Sequence, residues 1–195
     1  MRRATPIAMA AVLAVTGGCT GPGPGQPVPT DGTATTTAAT SSSASNAAPR
    51  VNNPKDARNV AACDALAAQQ ITQLGLNPDS RREVSLPAPF SKGCAWTATD
   101  SSWGVGFGFD TTRHGLSETY LRRNNYQHFE PREIDGYPAV DAQTSFNAED
   151  CYTFVGIADS QQLNINVDNR QADKPACERL DEIVKMIIGN LPPLK

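Results

Sequence analysis

Four cysteines constrain this chain more than any other feature. Cys63, Cys94, Cys151 and Cys177 all lie beyond residue 60. In an oxidising compartment four cysteines form two bridges, with three possible connectivities. The neighbouring pairs, Cys63–Cys94 and Cys151–Cys177, are favoured, because each closes a loop of about 30 residues between adjacent elements, worth about 3.5 kcal/mol in the chain-entropy picture. The nested pairing, Cys63–Cys177 with Cys94–Cys151, stays open. Zinc is the rival use of such a set. No C-x-x-C pair exists, and His114 and His128 are not spaced as a ligand pair, so no metal or other cofactor is expected.

Disulfides require export, and the N-terminus supplies an export signal. Met1-Arg2-Arg3 is followed by an uncharged run from Ala4 to Gly18, 15 residues long. Two early cations and a short apolar stretch make a secretory signal peptide, here residues 1–18. A spanning helix needs about 20 residues, so a permanent transmembrane helix is the weaker reading. Val15-Thr16-Gly17-Gly18 leads into Cys19. The segment resembles a bacterial lipobox, departing from it at Thr16, where Leu is usual. The resemblance implies lipidation of Cys19 with diacylglycerol and cleavage just before it. Two or more acyl chains, of palmitate type, hold a protein durably on a bilayer, whereas one does not.

Residues 20–58 contain no aromatic residue, and their only large aliphatics are Val28 and Val51. Such a stretch cannot bury enough surface to offset its chain entropy. With Cys19 it reads as a flexible linker over 19–58, reaching roughly 35 Å as a coil. Its Thr/Ser cluster at 34–45 offers sites for O-linked sugars. One globular domain is then expected over 59–195. Of 17 cations and 20 acids in the chain, five cations (Arg2, Arg3, Arg50, Lys55, Arg58) and two acids (Asp31, Asp56) precede it. That leaves 12 against 18, a net of about −6. Nucleic acid is a poor partner for such a domain.

Local patterns predict an α+β fold. Val60, Cys63, Ala67, Ile71 and Leu74 mark one face of a helix over 59–76, with Asn59 as its cap and Gly75 as its stop. The stretch 103–110 alternates Trp103, Val105, Phe107 and Phe109 with Gly104, Gly106 and Gly108, and pairs with 94–100 across Asp100-Ser101-Ser102. A short helix at 116–124 precedes two strands around Asp135-Gly136 and a further hairpin around Ser160-Gln161. A final helix starts at Pro175, carries the stripe Ala176, Leu180, Ile183, Val184, Ile187 and Ile188, and stops at Gly189 and Pro192-Pro193. The sum is a twisted antiparallel sheet of about six strands with two to three packed helices.

The cysteine opening a helix that ends in Leu74-Gly75-Leu76, then "CAW", "IDGYPAV" and "ACERLDEIVKMIIGNLP", together resemble a family of actinobacterial lipoproteins that carries only a domain-of-unknown-function label. The resemblance covers about 60–193 together with the lipobox and linker. It implies a secreted, lipid-anchored, disulfide-stapled domain and brings no catalytic residues with it. The layout is also loosely similar to Mog1/PsbP-type sandwiches, a likeness of fold that says nothing of function.

Catalytic motifs are absent from the sequence: it has no G-x-S-x-G, H-E-x-x-H or Walker loop, and "GVGFG" has Phe109 where a dinucleotide fingerprint needs glycine. The glycine face of 103–110 suits close approach of a neighbour, with a ligand-groove floor as the sharper alternative. The most suggestive surface is "YLRRNNYQHFEPR", where Arg122, Arg123, Tyr126, His128 and Arg132 combine cations and aromatics as recognition surfaces do. A basic helix end followed by an ordinary strand explains the same residues. The expected function is a binding or accessory module on the extracytoplasmic face of the cell membrane, with an envelope protein, wall component or small molecule as partner. An enzyme using His128 or the carboxylates, or a structural subunit of a membrane complex, are the alternatives.

Overall fold

The computed structural model describes residues 47–86, 92–170 and 173–195. Cys19, the signal segment 1–18 and most of the linker lie outside the described residues. Seven strands form one sheet: β1 (Arg82–Val84), β2 (Gly93–Thr97), β3 (Trp103–Asp110), β4 (His128–Ile134), β5 (Tyr137–Gln143), β6 (Cys151–Ala158) and β7 (Gln161–Asn169). Their spatial order is β1-β2-β3-β7-β6-β5-β4, and every neighbouring pair is antiparallel. Three α-helices accompany it: α1 (Ala68–Gln73), α2 (Leu116–Leu121) and α3 (Ala176–Asn190). The expected α+β class is therefore found, with seven strands rather than six. The extra one, β1, is three residues long and too short to alternate visibly.

The core lies between one face of the sheet and α3. All six residues of the expected α3 stripe are buried, against Val105, Phe107, Val155, Leu163 and Ile165. Trp96 and Phe107 stack there with centroids 5.6 Å apart. Pro175 precedes the helix as expected, but Gly189 lies inside it and Leu191 ends it. Two consecutive left-handed residues, Asp135 and Gly136, turn β4 into β5, which is why an Asp-Gly pair stands there.

Three local expectations change. The helix over 59–76 is broken: a 3₁₀ turn at Ala62–Asp64 is followed by α1, with Ala67 extended between them. The reason is burial. Ala62, Cys63, Ala65, Leu66 and Ile71 are all buried; in one continuous helix Ile71, which follows Ala62 by nine residues, would stand about 180° round from it, so the break lets both pieces face the core. Asn59 caps neither piece; the side chain of Gln70 instead accepts the Ala67 backbone N–H at 2.9 Å. The β6–β7 turn is Asp159-Ser160, because Gln161 is drawn into the interior, where its Oε1 accepts the Ala57 backbone N–H at 2.8 Å.

The end of the stretch assigned to the linker is strapped onto the domain. Lys55 donates its backbone N–H to Ile157 O at 2.7 Å, Asp56 to Pro192 O at 2.8 Å, and Leu194 to Pro54 O at 2.9 Å. Tyr137 Oη donates to Asn53 O, and Ala57 is buried in the core. Spare backbone groups at the β6–β7 turn and after α3 give a polar, Pro-rich segment partners that its composition does not reveal.

Candidate functional site

The sequence-predicted surface of Arg122, Arg123, Tyr126, His128 and Arg132 does not assemble. Side chains alternate along β4, so His128 and Arg132 share one side of the sheet and Phe129 lies on the other. Tyr126 packs on Phe129 and Phe154, and Arg123 sits 5.1 Å from the Phe129 ring centre. Burial raises the pKa of the Tyr126 hydroxyl. Arg122 pairs with Glu118. His128 lies 3.7 Å from Glu130 and against the Phe146 ring. Arg132 is a clamp between layers, with Nη1 2.7 Å from Asp181 on α3 and Nε 2.8 Å from Asp141 on β5. Burial opposes its charge, but the two carboxylates outweigh it and raise the pKa, keeping the guanidinium charged. Each cation is thus already engaged.

Both favoured disulfides are formed. Cys63 joins Cys94 with Cα atoms 4.9 Å apart, and Cys151 joins Cys177 at 5.1 Å. Among the described residues, Asp141, Cys151 and Cys177 are close enough to share a metal ion. The two sulfurs are bonded to each other, however, and offer no thiolate.

A different site emerges where the β2–β3 turn meets the first half of α3 and the end of α1. Two adjoining hollows of about 660 and 470 Å³ share Leu74, Trp103 and Arg179. The Arg179 guanidinium lies over the Trp103 indole, 4.8 Å from its centre. Its Nη2 is 2.9 Å from Asp173, while its Nε is buried without a partner. Asp100 frames the other side: its Oδ1 accepts the Ser102 hydroxyl at 2.7 Å and backbone N–H at 3.0 Å. The Ser102 hydroxyl, then its N–H, and more weakly the charge of Arg179 hold the Asp100 carboxyl below its ordinary range. Gly75, in the left-handed region that glycine adopts freely, turns its carbonyl to both the N–H and the hydroxyl of Thr99. That contact ties the end of α1 to the hairpin. The sequence reading did not single out Arg179, which sits among ordinary charged positions of an amphipathic helix. Only the pairing of β3 with β7 and the seating of α3 bring it onto Trp103.

A family model described as "Protein of unknown function (DUF3558)" matches residues 14–190. The chain belongs to this family. The DUF3558 match takes in all four bridging cysteines, all seven strands and the groove residues from Leu74 to Met186. Among curated proteins and among solved structures, nothing matches this chain. The Mog1/PsbP layout therefore gains no support from a solved relative. The two disulfides fit a protein outside the cytoplasm. Among the described residues, no helix is long and apolar enough to cross a membrane.

The groove also has a defined position relative to the incoming chain. Val51 donates its N–H to Asp159 Oδ1 at the β6–β7 turn, and the strap follows that end of the sheet. The groove is built on the β2–β3 turn at the opposite end. A strand the length of β3 separates the two, roughly 25 Å at 3.3 Å per residue.

Proposed function

We propose that this DUF3558 protein is a lipid-anchored, extracytoplasmic binding module that presents the Trp103–Arg179 groove to its partner. One observation carries the reading: the groove opens at the end of the sheet opposite to the strap over 51–58. The Arg2-Arg3 charge pair, the apolar run and Cys19 support attachment, and the two bridges support an oxidising surroundings.

Two measurements test this. Mass spectrometry of the native protein should find a lipid-bearing Cys19 at the N-terminus, and Cys19→Ala should move the protein from the membrane fraction to the medium. A photo-crosslinking residue in place of Lys185, an exposed groove position, should give one adduct in cells that a Lys195 control does not. An unmodified N-terminus at another residue refutes the anchor. Identical adducts from both positions refute the groove as the binding surface.

A further inference from the structure

Among the described residues, Arg179 combines a mostly buried side chain with an exposed partner. Its side chain is 16% exposed, whereas its one carboxylate partner, Asp173, is 98% exposed. The Arg58–Asp56 pair shows what a finished fork looks like in this protein, with Nε at 2.9 Å and Nη2 at 2.6 Å from the two carboxylate oxygens. Arg179 uses the same edge by half: Nη2 reaches Asp173, and Nε, shut off from solvent, reaches nothing. A guanidinium edge of this kind matches one carboxylate bidentately.

The rest of the groove sets what else such a ligand carries. Lys174 is tied to Glu182, and Asp100 is tied to Ser102. The charged lining residues balance, Lys174, Arg179 and Lys185 against Asp100, Asp173 and Glu182; of the cations, Lys185 lines the groove exposed and has no ion-pair partner among the described residues. Leu74 and Met186, both half-buried, supply an apolar wall beside Arg179.

We infer that the Trp103–Arg179 groove binds an organic carboxylate on an aliphatic stem, and that Asp173 stands in for that carboxylate within the chain. The inference rests on the groove being the binding surface proposed above and names its ligand class. An ion pair with one member wholly in solvent contributes little, so Asp173 yields its place at small cost. The incoming carboxylate bridges Nε and Nη2, and its stem lies along Leu74 and Met186.

The test is a titration of the full-length protein, followed by the NMR signal of the Trp103 indole. Hexanoate is the simplest probe, and N-acetyl-leucyl-leucine as free acid presents the same chemistry from a peptide end. Hexanol, hexylammonium, the dipeptide amide and inorganic phosphate are the controls. Either acid should bind saturably, the tighter one naming the source, and the uncharged and cationic controls should not. Arg179→Gln should weaken binding by about tenfold, the loss of a charge-assisted hydrogen bond. Asp173→Asn should strengthen it by about twofold to fivefold, because the internal competitor is gone. A merely structural pair predicts no gain, so unchanged or weaker binding by Asp173→Asn overturns the inference. That variant alone decides if Arg179→Gln fails to fold. Phosphate binding as tightly as hexanoate overturns the aliphatic stem. Failure of these titrations with the Lys185-position adduct intact refutes the ligand class and leaves the module reading standing.

Discussion

Removing either disulfide should cost similar free energy but open different parts of the molecule. The bridges span 31 and 26 residues of sequence. Chain-entropy arithmetic gives about 3.7 kcal/mol for Cys63–Cys94 and about 3.5 kcal/mol for Cys151–Cys177. Each is a large share of a margin of about 5–15 kcal/mol, and each lowers Tm by roughly 10 °C in a domain of this size. What remains after the cut differs. Without its bridge, the 62–76 segment keeps Ala62, Ala65, Leu66, Ile71 and Leu76 as its buried contacts, and α1 has only six residues. Isolated helices under about 12 residues are marginal in water. Without its bridge, α3 still has six buried residues over 15. In Cys63→Ala/Cys94→Ala, amide exchange at Ile71, Leu74 and Leu76, which bond to Ala67, Gln70 and Ile71, should therefore quicken by about two to three orders of magnitude, well ahead of β3 and β7. In Cys151→Ala/Cys177→Ala, α3 and the sheet should lose protection together. Uniform loss in the first variant, or α3 melting ahead of the sheet in the second, refutes the reasoning.

Three further outcomes follow from particular contacts. A Cβ on Gly108 would lie 2.4 Å from Leu86 Cδ1 and 3.2 Å from the Lys92 carbonyl, so Gly108→Ala should destabilise by about 1–2 kcal/mol in a urea titration. Arg132→Ala strands Asp141 and Asp181 beside each other's layer; partial exposure softens the penalty to about 2 kcal/mol, and adding Asp181→Asn should recover part of it in thermal melts. The Asp56 carboxyl is held well below the carboxylate range, first by the Arg58 side chain and then by the Arg58 N–H. A lowered folded-state pKa contributes stability that is present above the unfolded value of about 4 and is lost as pH falls below it. Strap amides at Lys55 and Asp56 should accordingly lose protection selectively on acidification, and Asp56→Asn should remove that pH dependence.

Most of the sheet was readable because its signals are local. Trp103, Val105, Phe107 and Phe109 alternate strictly with glycines and give β3 to the residue; Asp135-Gly136 announces its own turn, and the α3 stripe repeats at helical spacing. Loop closure between adjacent elements favoured the cysteine pairs that form but left the nested pairing open. Where tertiary demands override local pattern, reading fails. Ala62, Cys63, Ala65 and Leu66 face the core together with Ile71 only if the helix breaks between them, and Gln161 moves a turn because Ala57 needs an acceptor. The strap over 51–58 carries no apolar pattern, since its partners are backbone carbonyls, the Asp159 and Gln161 side chains and a tyrosine hydroxyl.

The site was illegible for a related reason. Recognition surfaces read from sequence are runs of neighbours, and "YLRRNNYQHFEPR" is such a run. A strand sends neighbours to opposite faces, so β4 splits it, and each of its cations meets an acid or an aromatic ring. The groove is the converse case. Leu74, Trp103 and Arg179 are far apart in the chain and individually unremarkable: a helix end, a core strand residue and a surface charge. Trp103 pairs with Asn169 at the edge where α3 begins, and the Cys151–Cys177 bridge sets the start of that helix, so the seventh strand and the second disulfide jointly put a cation on an indole. What distinguishes Arg179 is not its type but the mismatch between its own burial and its partner's exposure, a property that exists only once the chain is folded.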